Sequence, residues 1–267
     1  MKKAVLCGLL ISSFALSSQA QILLSSVLSG GYSQNFDSLA STGTSGTWTD
    51  NTTLPGWYAS KFPGGVVTAQ SVYRVDAGAN NSGSMFDYGS AGSSDRSLGS
   101  LSSGTPLNNS IGLLLKNDTG VAQTLNLTLA YTGEQWRQGG NLSIQTNLFF
   151  DYTISSVDIS GAVLSSVTNN PAFINDPALS FISPVTGATS AALDGNAPAN
   201  RTALSDTLNI TLNAGDEVMF RWTDINDAGN DHGGSIDDLS LSVPEPTMAA
   251  LGGFAALALI LKRRNRR

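Results

Sequence analysis

The densest group of side chains that could bind a ligand lies between residues 221 and 238. It contains five aspartates, two asparagines and His232, the only histidine of the sequence. Carboxylate and amide oxygens crowded on one loop suit Ca²⁺, which takes about six to eight oxygen ligands. The candidate calcium ligands are Asp224, Asn226, Asp227, Asp231 and Asp237.

The spacing within this group does not match an EF-hand. Ala228 stands where the third ligand would be, and Ser235 stands where the bidentate carboxylate would be. A calcium site would therefore need further ligands from elsewhere in the chain. Two alternatives stay open: the Asp and Asn side chains cap turns beside Gly229 and Gly233 through their own backbone, or the loop binds another ligand.

A second candidate site is the stretch from residue 133 to residue 137. An indole can cover the apolar face of a sugar ring while neighbouring charged groups bond its hydroxyls. We therefore take as candidate carbohydrate-binding residues Trp136, Arg137, Glu134, Trp222 and His232. The competing interpretation is a buried ion pair between Arg137 and an aspartate of residues 221–238, covered by a packed Trp136.

Catalysis has little support in the sequence. His232 would have to be the base of any Ser-His-Asp triad, and no G-x-S-x-G nucleophile elbow is present. A zinc site would lack the usual His and Cys ligands. Paired carboxylates for glycoside hydrolysis could come from Glu134, Glu217 or several aspartates, whose separation the sequence does not give. We expect a non-enzymatic protein, with a glycan-active hydrolase as the first alternative.

The charge is distributed unevenly along the chain. The whole sequence has 14 Lys and Arg against 20 Asp and Glu, but seven of the basic residues lie at the two ends. Residues 21–243 hold 7 basic and 19 acidic residues, which gives a net charge of −12. Such a body repels phosphate backbones, so nucleic-acid binding is not expected.

The N-terminus has the pattern of a secretory signal peptide. Lys2 and Lys3 precede an apolar stretch over residues 4–16, and small residues at Ser18 and Ala20 allow cleavage before Gln21. The only cysteine, Cys7, lies in this segment, so the mature domain would contain no disulfide. We predict a signal peptide over residues 1–20 and an exported protein.

The C-terminus combines three features in a fixed order. Pro244-Glu245-Pro246 follows Val243, residues 248–261 carry no charge, and the last residues are Lys262, Arg263, Arg264, Arg266 and Arg267. As a helix of about 1.5 Å per residue, the apolar run spans roughly 21 Å, which is short for a hydrocarbon core of about 30 Å. Its basic end favours a cytoplasmic C-terminus. We expect a short transmembrane helix that holds the precursor in the inner membrane.

This tail, residues 243–267, resembles the PEP-CTERM sorting signal of Gram-negative bacteria. The resemblance implies recognition by exosortase, a membrane peptidase, then release to the cell surface or to a matrix containing exopolysaccharide. A tail of this type is also catalogued as an ice-binding protein C-terminal domain. Ice binding needs a regular face of threonines, and Thr124, Thr128, Thr207 and Thr211 are too few to form one.

The body of the chain has the pattern of many short β-strands. Apolar residues alternate with polar ones over residues 121–132, 142–154, 204–212 and 218–222, and residues 111–115 form a continuous apolar run typical of a strand buried on both faces. The first residues, 21–28, also indicate a short apolar strand. No long amphipathic helix and no internal repeat appear.

These patterns predict an all-β, jelly-roll-like β-sandwich over residues 21–242, flanked by the signal helix and the transmembrane helix. Long loops at residues 41–53 and 168–200 favour jelly-roll connectivity. Residues 34–242, above all 133–137 and 221–238, are similar to exported bacterial β-sandwich domains of unassigned function. That resemblance implies the fold and no catalytic residue. A purely structural biofilm component remains a further alternative.

Overall fold

A computed structural model describes residues 21–63, 66–104, 108–160 and 173–244 of the chain. The predicted signal peptide and the tail from Glu245 onward lie outside these ranges. Within them, no helix has the length and apolar character needed to cross a membrane. The helices in this part are α1 (Leu24–Gly30) and a 3-10 turn at Pro177–Leu179.

The described residues form seventeen strands. In chain order they are β1 (Ile22–Leu23), β2 (Tyr32–Gln34), β3 (Ser45–Thr47), β4 (Trp57–Lys61), β5 (Thr68–Ala69), β6 (Val72–Asp76), β7 (Ser84–Tyr88), β8 (Ser97–Leu101), β9 (Asn108–Lys116), β10 (Gln123–Gln138), β11 (Thr146–Ser155), β12 (Ile174–Asn175), β13 (Phe181–Ile182), β14 (Ala191–Ala192), β15 (Arg201–Leu212), β16 (Glu217–Ile225) and β17 (Gly233–Ser242).

The strands build two sheets. The first has the order β12-β11-β16-β9-β4-β5, with β1 paired to β9 and β13 paired to β11. The second has the order β14-β10-β17-β8-β7-β6-β3, with β15 paired to β10 and β2 paired to β17. Most neighbours are antiparallel, whereas β1–β9 and β6–β7 are parallel. The prediction of an all-β, two-sheet fold is confirmed.

The core lies between the inner faces of the two sheets. Trp222 of β16 contacts Trp57 and Phe150 of its own sheet and packs edge-on against Tyr131 of the opposite sheet, with ring centroids 5.8 Å apart. Leu125, Leu127, Leu129 and Tyr131 of β10 are buried in the same cluster, as their period of two predicts. Sheet-on-sheet packing therefore follows directly from the alternation in the sequence.

Strand β9 confirms the prediction for the continuous apolar run. Its residues are buried from Asn109 to Leu115, because Leu113 and Leu115 join the main core and Leu114 packs outside the sheet with Tyr58 and Met219. The neighbouring strand β16 is covered on both faces in the same way.

The outer side of β16 carries a buried charge. Arg221 is fully buried and donates two hydrogen bonds to Asp151 on the adjacent β11, from Nε at 2.8 Å and from Nη2 at 2.7 Å. The register sets Asp151 directly opposite Arg221. The paired geometry satisfies both charges, which would otherwise be costly to remove from water.

Two strand predictions are wrong. Residues 21–28 form a strand only at β1 and then continue as α1, where the helical spacing of Leu24 and Val27 turns both side chains to the core. The strand predicted from residue 142 begins at residue 146; Leu142 and Ile144 are 73% and 75% exposed. Their segment is a loop, and Asn141 at its start donates hydrogen bonds to the carbonyl oxygens of Ala228 and Asn230.

We expect Asp151→Asn to destabilise the protein strongly. The isosteric amide keeps the shape but leaves Arg221 as a buried cation without its counter-charge, a loss of about 3–5 kcal/mol. Urea unfolding of wild type and variant measures this difference. Asp194→Asn makes the same chemical change at an exposed loop position and should stay within about 0.5 kcal/mol. Equal effects of the two substitutions would contradict this role for the ion pair.

Candidate binding cleft at one end of the sandwich

A polar cleft of about 210 Å³ opens at one end of the sandwich. It lies where β8 ends, where β10 ends and where the connection between β16 and β17 turns. The residues that give it chemical character are Asn81, Ser102, Arg137, Asn226, Asn230 and Asp231. Residues with amide, guanidinium and carboxylate groups therefore border one volume, and such groups can bind hydroxyls. Ser102 is fully buried, and its Oγ donates to the carbonyl oxygen of Asp224.

The connection between β16 and β17 is held in place by hydrogen bonds. The backbone N–H of Asp227 donates to Asp231 Oδ1 at 2.8 Å. Asn141 Nδ2 donates to the carbonyl oxygens of Ala228 and Asn230, and Gln145 Nε2 also donates to Asn230. The segment around Leu142 is thus a brace for this loop, which explains why it does not continue as a strand.

His232 has a structural position at the base of the loop. It is 1% exposed, its Nδ1 accepts a hydrogen bond from the backbone N–H of Gly139 at 2.9 Å, and the backbone N–H of His232 donates to Gln145 Oε1. Burial lowers the pKa of the imidazole. A Cβ on Gly139 would lie 2.2 Å from the carbonyl oxygen of Asp231, so this close contact requires glycine. His232 therefore fixes the loop and does not line the cleft.

Two aspartates at the cleft end have raised pKa values. Burial raises the pKa of Asp231 to about 7. Burial also raises the pKa of Asp224 well above its usual range, and the charge of Asp231 adds to the effect. Asp224 Oδ2 accepts a hydrogen bond from Ser100 Oγ at 2.8 Å. Asp224 is thus a buried partner of β8, while Asp231 borders the open volume.

The five candidate calcium ligands are only partly brought together. Asn226 and Asp231 line the cleft, Asp227 bonds to Asp231, and Asp224 is buried beside them. Asp237 lies on β17, where its carboxyl neighbours are Glu134, Asp95 and Asp238. Among the described residues, no group of three or more His, Cys, Asp or Glu side chains is arranged to hold a metal ion. Calcium binding stays a prediction.

The predicted sugar platform lies in the interior. Trp136 is 1% exposed, and its ring stacks on Tyr88 with centroids 6.0 Å apart. Gly195 covers the indole so closely that a Cβ there would lie 2.3 Å from it. Trp136 Nε1 donates to Glu134 Oε2 at 2.9 Å and to Ser97 Oγ at 3.1 Å. With both faces and the N–H engaged, this indole has no free surface on which a pyranose could stack.

The remaining predicted ligand-binding residues are also buried. Trp222 belongs to the core between the sheets. Arg137 borders the cleft, but its Nη1 donates to the carbonyl oxygens of Gly78 and Ala79. The alternative interpretation, an ion pair of Arg137 with an aspartate of residues 221–238, does not match this arrangement. The buried ion pairs of the described residues are Arg221 with Asp151 and Arg96 with Asp87. Arg137 anchors the wall of the cleft.

Several cleft residues carried no signal in the sequence. Asn81, Ser102 and Ser190 come from three connections far apart in the chain, and each is a common turn residue. Only the tertiary fold brings them together with Asn226 and Asp231.

The predicted sorting motif begins at the other end of β17. Val243 packs against the core and Pro244 follows, while Glu245 and Pro246 lie outside the described residues.

Comparisons with known proteins add similarities of low strength. No family model and no curated protein matches the chain. The K2 cleaved adhesin domain of Lys-gingipain is 16% identical, covering 81% of this chain and 99% of its own with a TM-score of 0.33. The CBM22-1 xylan-binding domain of Paenibacillus barcinonensis Xyn10C is 11% identical, covering 79% and 92% with a TM-score of 0.33. The K3 cleaved adhesin domain of Lys-gingipain from Porphyromonas gingivalis w83 is 14% identical, covering 58% and 78% with a TM-score of 0.31. At values this low, none of these similarities transfers a ligand or an activity to this chain.

We expect Asp237→Asn to stabilise the protein at pH 8 and not at pH 4. Burial, reinforced by the charge of Glu134, raises the pKa of Asp237 to about 8. Between about pH 4 and pH 8 the unfolded chain loses a proton that the folded chain keeps, so stability falls as pH rises through this window. The amide imitates the protonated acid and removes that cost, a gain on the order of 1 kcal/mol or more at pH 8.

Thermal unfolding at both pH values measures the effect. Asp118→Asn is the control, because hydrogen bonds from Ser25 lower the pKa of Asp118 and its replacement should give no gain at pH 8. A midpoint for Asp237→Asn at or below that of wild type at pH 8 would contradict the raised pKa.

Proposed function

We propose that this protein is an exported, non-catalytic β-sandwich that is sorted to the cell surface or the extracellular matrix and binds carbohydrate in the polar cleft. The observation that carries the binding proposal is the lining of the cleft, where amides, a hydroxyl and one carboxylate converge from separate loops. We further propose that the sandwich has jelly-roll connectivity. This is supported by the repeated crossing of the chain between the two sheets, from β9 to β11 and from β16 to β17.

This cleft would recognise a sugar through polar side chains. Every aromatic side chain in the described residues is buried or half-buried, and none is among the residues lining the cleft. Hydrogen bonds to sugar hydroxyls would therefore carry affinity and orientation, without stacking on a sugar face. Asn81 and Asn226 are suited to this role because their side-chain amides are not used in the hydrogen bonds that brace the loop.

A glycoside hydrolase is the competing proposal, because the raised pKa of Asp231 suits a general acid. Hydrolysis needs a second carboxylate in the same cleft. Among the described lining residues Asp231 supplies the carboxylate, and the nearby Asp224 is fully enclosed and bonded to Ser100. Glu134 and Glu217 are engaged by Trp136 and Lys116. This distribution favours binding over catalysis.

The export and sorting part of the proposal rests on the sequence of the two ends. β17 ends at Ser242, and the predicted motif begins at the next residue. The sandwich would then sit directly outside the membrane until an exosortase-type peptidase processes the tail. A purely structural matrix component would share this sorting and lack the glycan ligand.

We expect the double substitution Asn81→Ala with Asn226→Ala to weaken glycan binding by about tenfold or more, since each amide removed costs one or more hydrogen bonds. The measurement is binding of the full-length chain to an array of neutral oligosaccharides, followed by titration calorimetry with the best binder. Asn126→Ala with Asn209→Ala is the matched control, because these two amides bond to each other on the exposed face of β10 and β15. An empty array would favour the structural alternative, and equal losses in both variants would contradict the cleft.

We expect replacement of Pro244, Glu245 and Pro246 by alanine to block processing in the producing bacterium. The full-length precursor should accumulate in the membrane fraction, and less protein should reach the surface or matrix, as immunoblots of the fractions would show. Thr247→Ala, next to the motif, serves as the control and should be processed normally. Unchanged distribution of the alanine variant would contradict exosortase-type sorting.

A further inference from the structure

The seven cations of residues 21–243 have unequal surroundings. All seven lie in the described residues. Arg96, Arg221 and Lys116 form ion pairs with carboxylates. Arg137 is engaged by backbone carbonyls, and Arg201 lies directly opposite Glu134 in the pairing of β10 with β15. The two that remain, Lys61 and Arg74, have no carboxylate within ion-pair distance in this part of the chain.

Lys61 and Arg74 line the same pocket, of about 280 Å³. Gln70, Ser71 and Ser84 contribute polar groups to it, and none of the described residues that line it is acidic. In a body with 19 acidic residues against 7 basic ones, two adjacent cations without an acidic neighbour form an isolated positive patch. Such a patch attracts an anion locally although the body as a whole repels polyanions.

The fold places these two cations together from different sheets. Lys61 is the last residue of β4 in the first sheet, opposite Thr68 of β5. Arg74 belongs to β6 in the second sheet, where Tyr73 turns to the core and Arg74 lies on the other face. The chain crosses from β5 to β6 within a few residues, so the pocket lies at the edge where the two sheets meet. Both side chains are half-buried, which limits the freedom they lose on binding.

We propose that this pocket, bordered by Lys61, Arg74, Gln70 and Ser84, binds the carboxylate of a single uronic acid unit in an acidic saccharide. A guanidinium and an ammonium supply charge-assisted hydrogen bonds to the carboxylate, and the neighbouring hydroxyl and amide groups suit the ring hydroxyls. The volume lies near the lower end of the roughly 300–1,000 Å³ of ligand sites, so it accommodates one sugar unit.

The net charge decides between kinds of anion. A nucleic acid or a densely sulfated chain would bring many negative charges against a body of net charge −12, and that repulsion opposes binding. A short uronate oligomer carries one carboxylate per sugar unit, so it brings far fewer charges and places one of them in the pocket. The inference rests on the proposed function for the saccharide nature of the ligand, but it concerns a different site from the polar cleft.

The test compares binding of trigalacturonate and neutral galactotriose to the full-length chain by titration calorimetry at low and moderate salt. Wild type should bind the uronate, and Lys61→Gln with Arg74→Gln should weaken that binding about 10-fold to 100-fold, because two charge-assisted hydrogen bonds are lost. Lys116→Gln with Arg201→Gln changes the net charge equally and should leave the affinity within about twofold. The basic tail is present in every variant.

Ser84→Asp provides a second test that keeps both cations. A carboxylate in the pocket would compete with the ligand and should abolish uronate binding, while the unfolding midpoint of each variant shows that it is folded. No uronate binding by wild type, or equal losses in the test and control variants, would overturn the inference. Tighter binding of a sulfated trisaccharide or of single-stranded DNA that is lost in Lys61→Gln with Arg74→Gln would overturn the assignment to a uronate.

The polar cleft is tested independently in the same measurements. Asn81→Ala with Asn226→Ala should leave trigalacturonate binding unchanged. If that variant loses uronate binding while Lys61→Gln with Arg74→Gln retains it, the carboxylate binds in the cleft, and the proposal for the pocket with Lys61 and Arg74 is overturned. Failure of neutral glycans to bind would count against the proposed cleft alone.

Discussion

The packing of Trp222 between the two sheets is the central contact of the fold. Its ring meets Trp57, Phe150 and Tyr131, and Tyr131 belongs to the opposite sheet. Because successive residues of a strand point to opposite faces, the inward position of Trp222 forces Arg221 outward. Arg221 is nevertheless buried there, so Asp151 on the next strand has to neutralise it. The core contact and the buried ion pair are therefore two consequences of one register.

The end of the sandwich that carries the cleft depends on close backbone approach. A Cβ on Gly233 would lie 2.6 Å from Tyr88 Oη, and one on Gly234 would lie 2.7 Å from Asn147 Nδ2. These glycines let β17 begin between its neighbours, directly after the loop that contains Asp231. The loop is then braced by Asn141 and Gln145 and by the buried His232. A rigid frame of this kind positions polar groups for a ligand with little loss of freedom on binding.

Some charged side chains of the body are engaged in ion pairs, whereas others are available to a ligand. Three of the cations in the body are held by carboxylates, and burial raises the pKa of Asp237 to about 8. The pocket with Lys61 and Arg74 is the contrasting case. In a domain without disulfides, stability has to come from the core and from such buried pairs.

The all-β class, the alternation of β10 and β16 and the double-sided burial of β9 could be predicted from the sequence, because these features depend on local periodicity. The sequence also supports the expectation of export and sorting through the two ends. It did not determine which polar residues are accessible. Trp136 and Glu134 read as a surface platform, yet Gly195 and Tyr88, distant in sequence, enclose the indole. The cleft and the basic pocket likewise combine residues from separate loops and from both sheets. These sites could not be predicted from the sequence, because the burial of a side chain depends on what the rest of the chain packs against it.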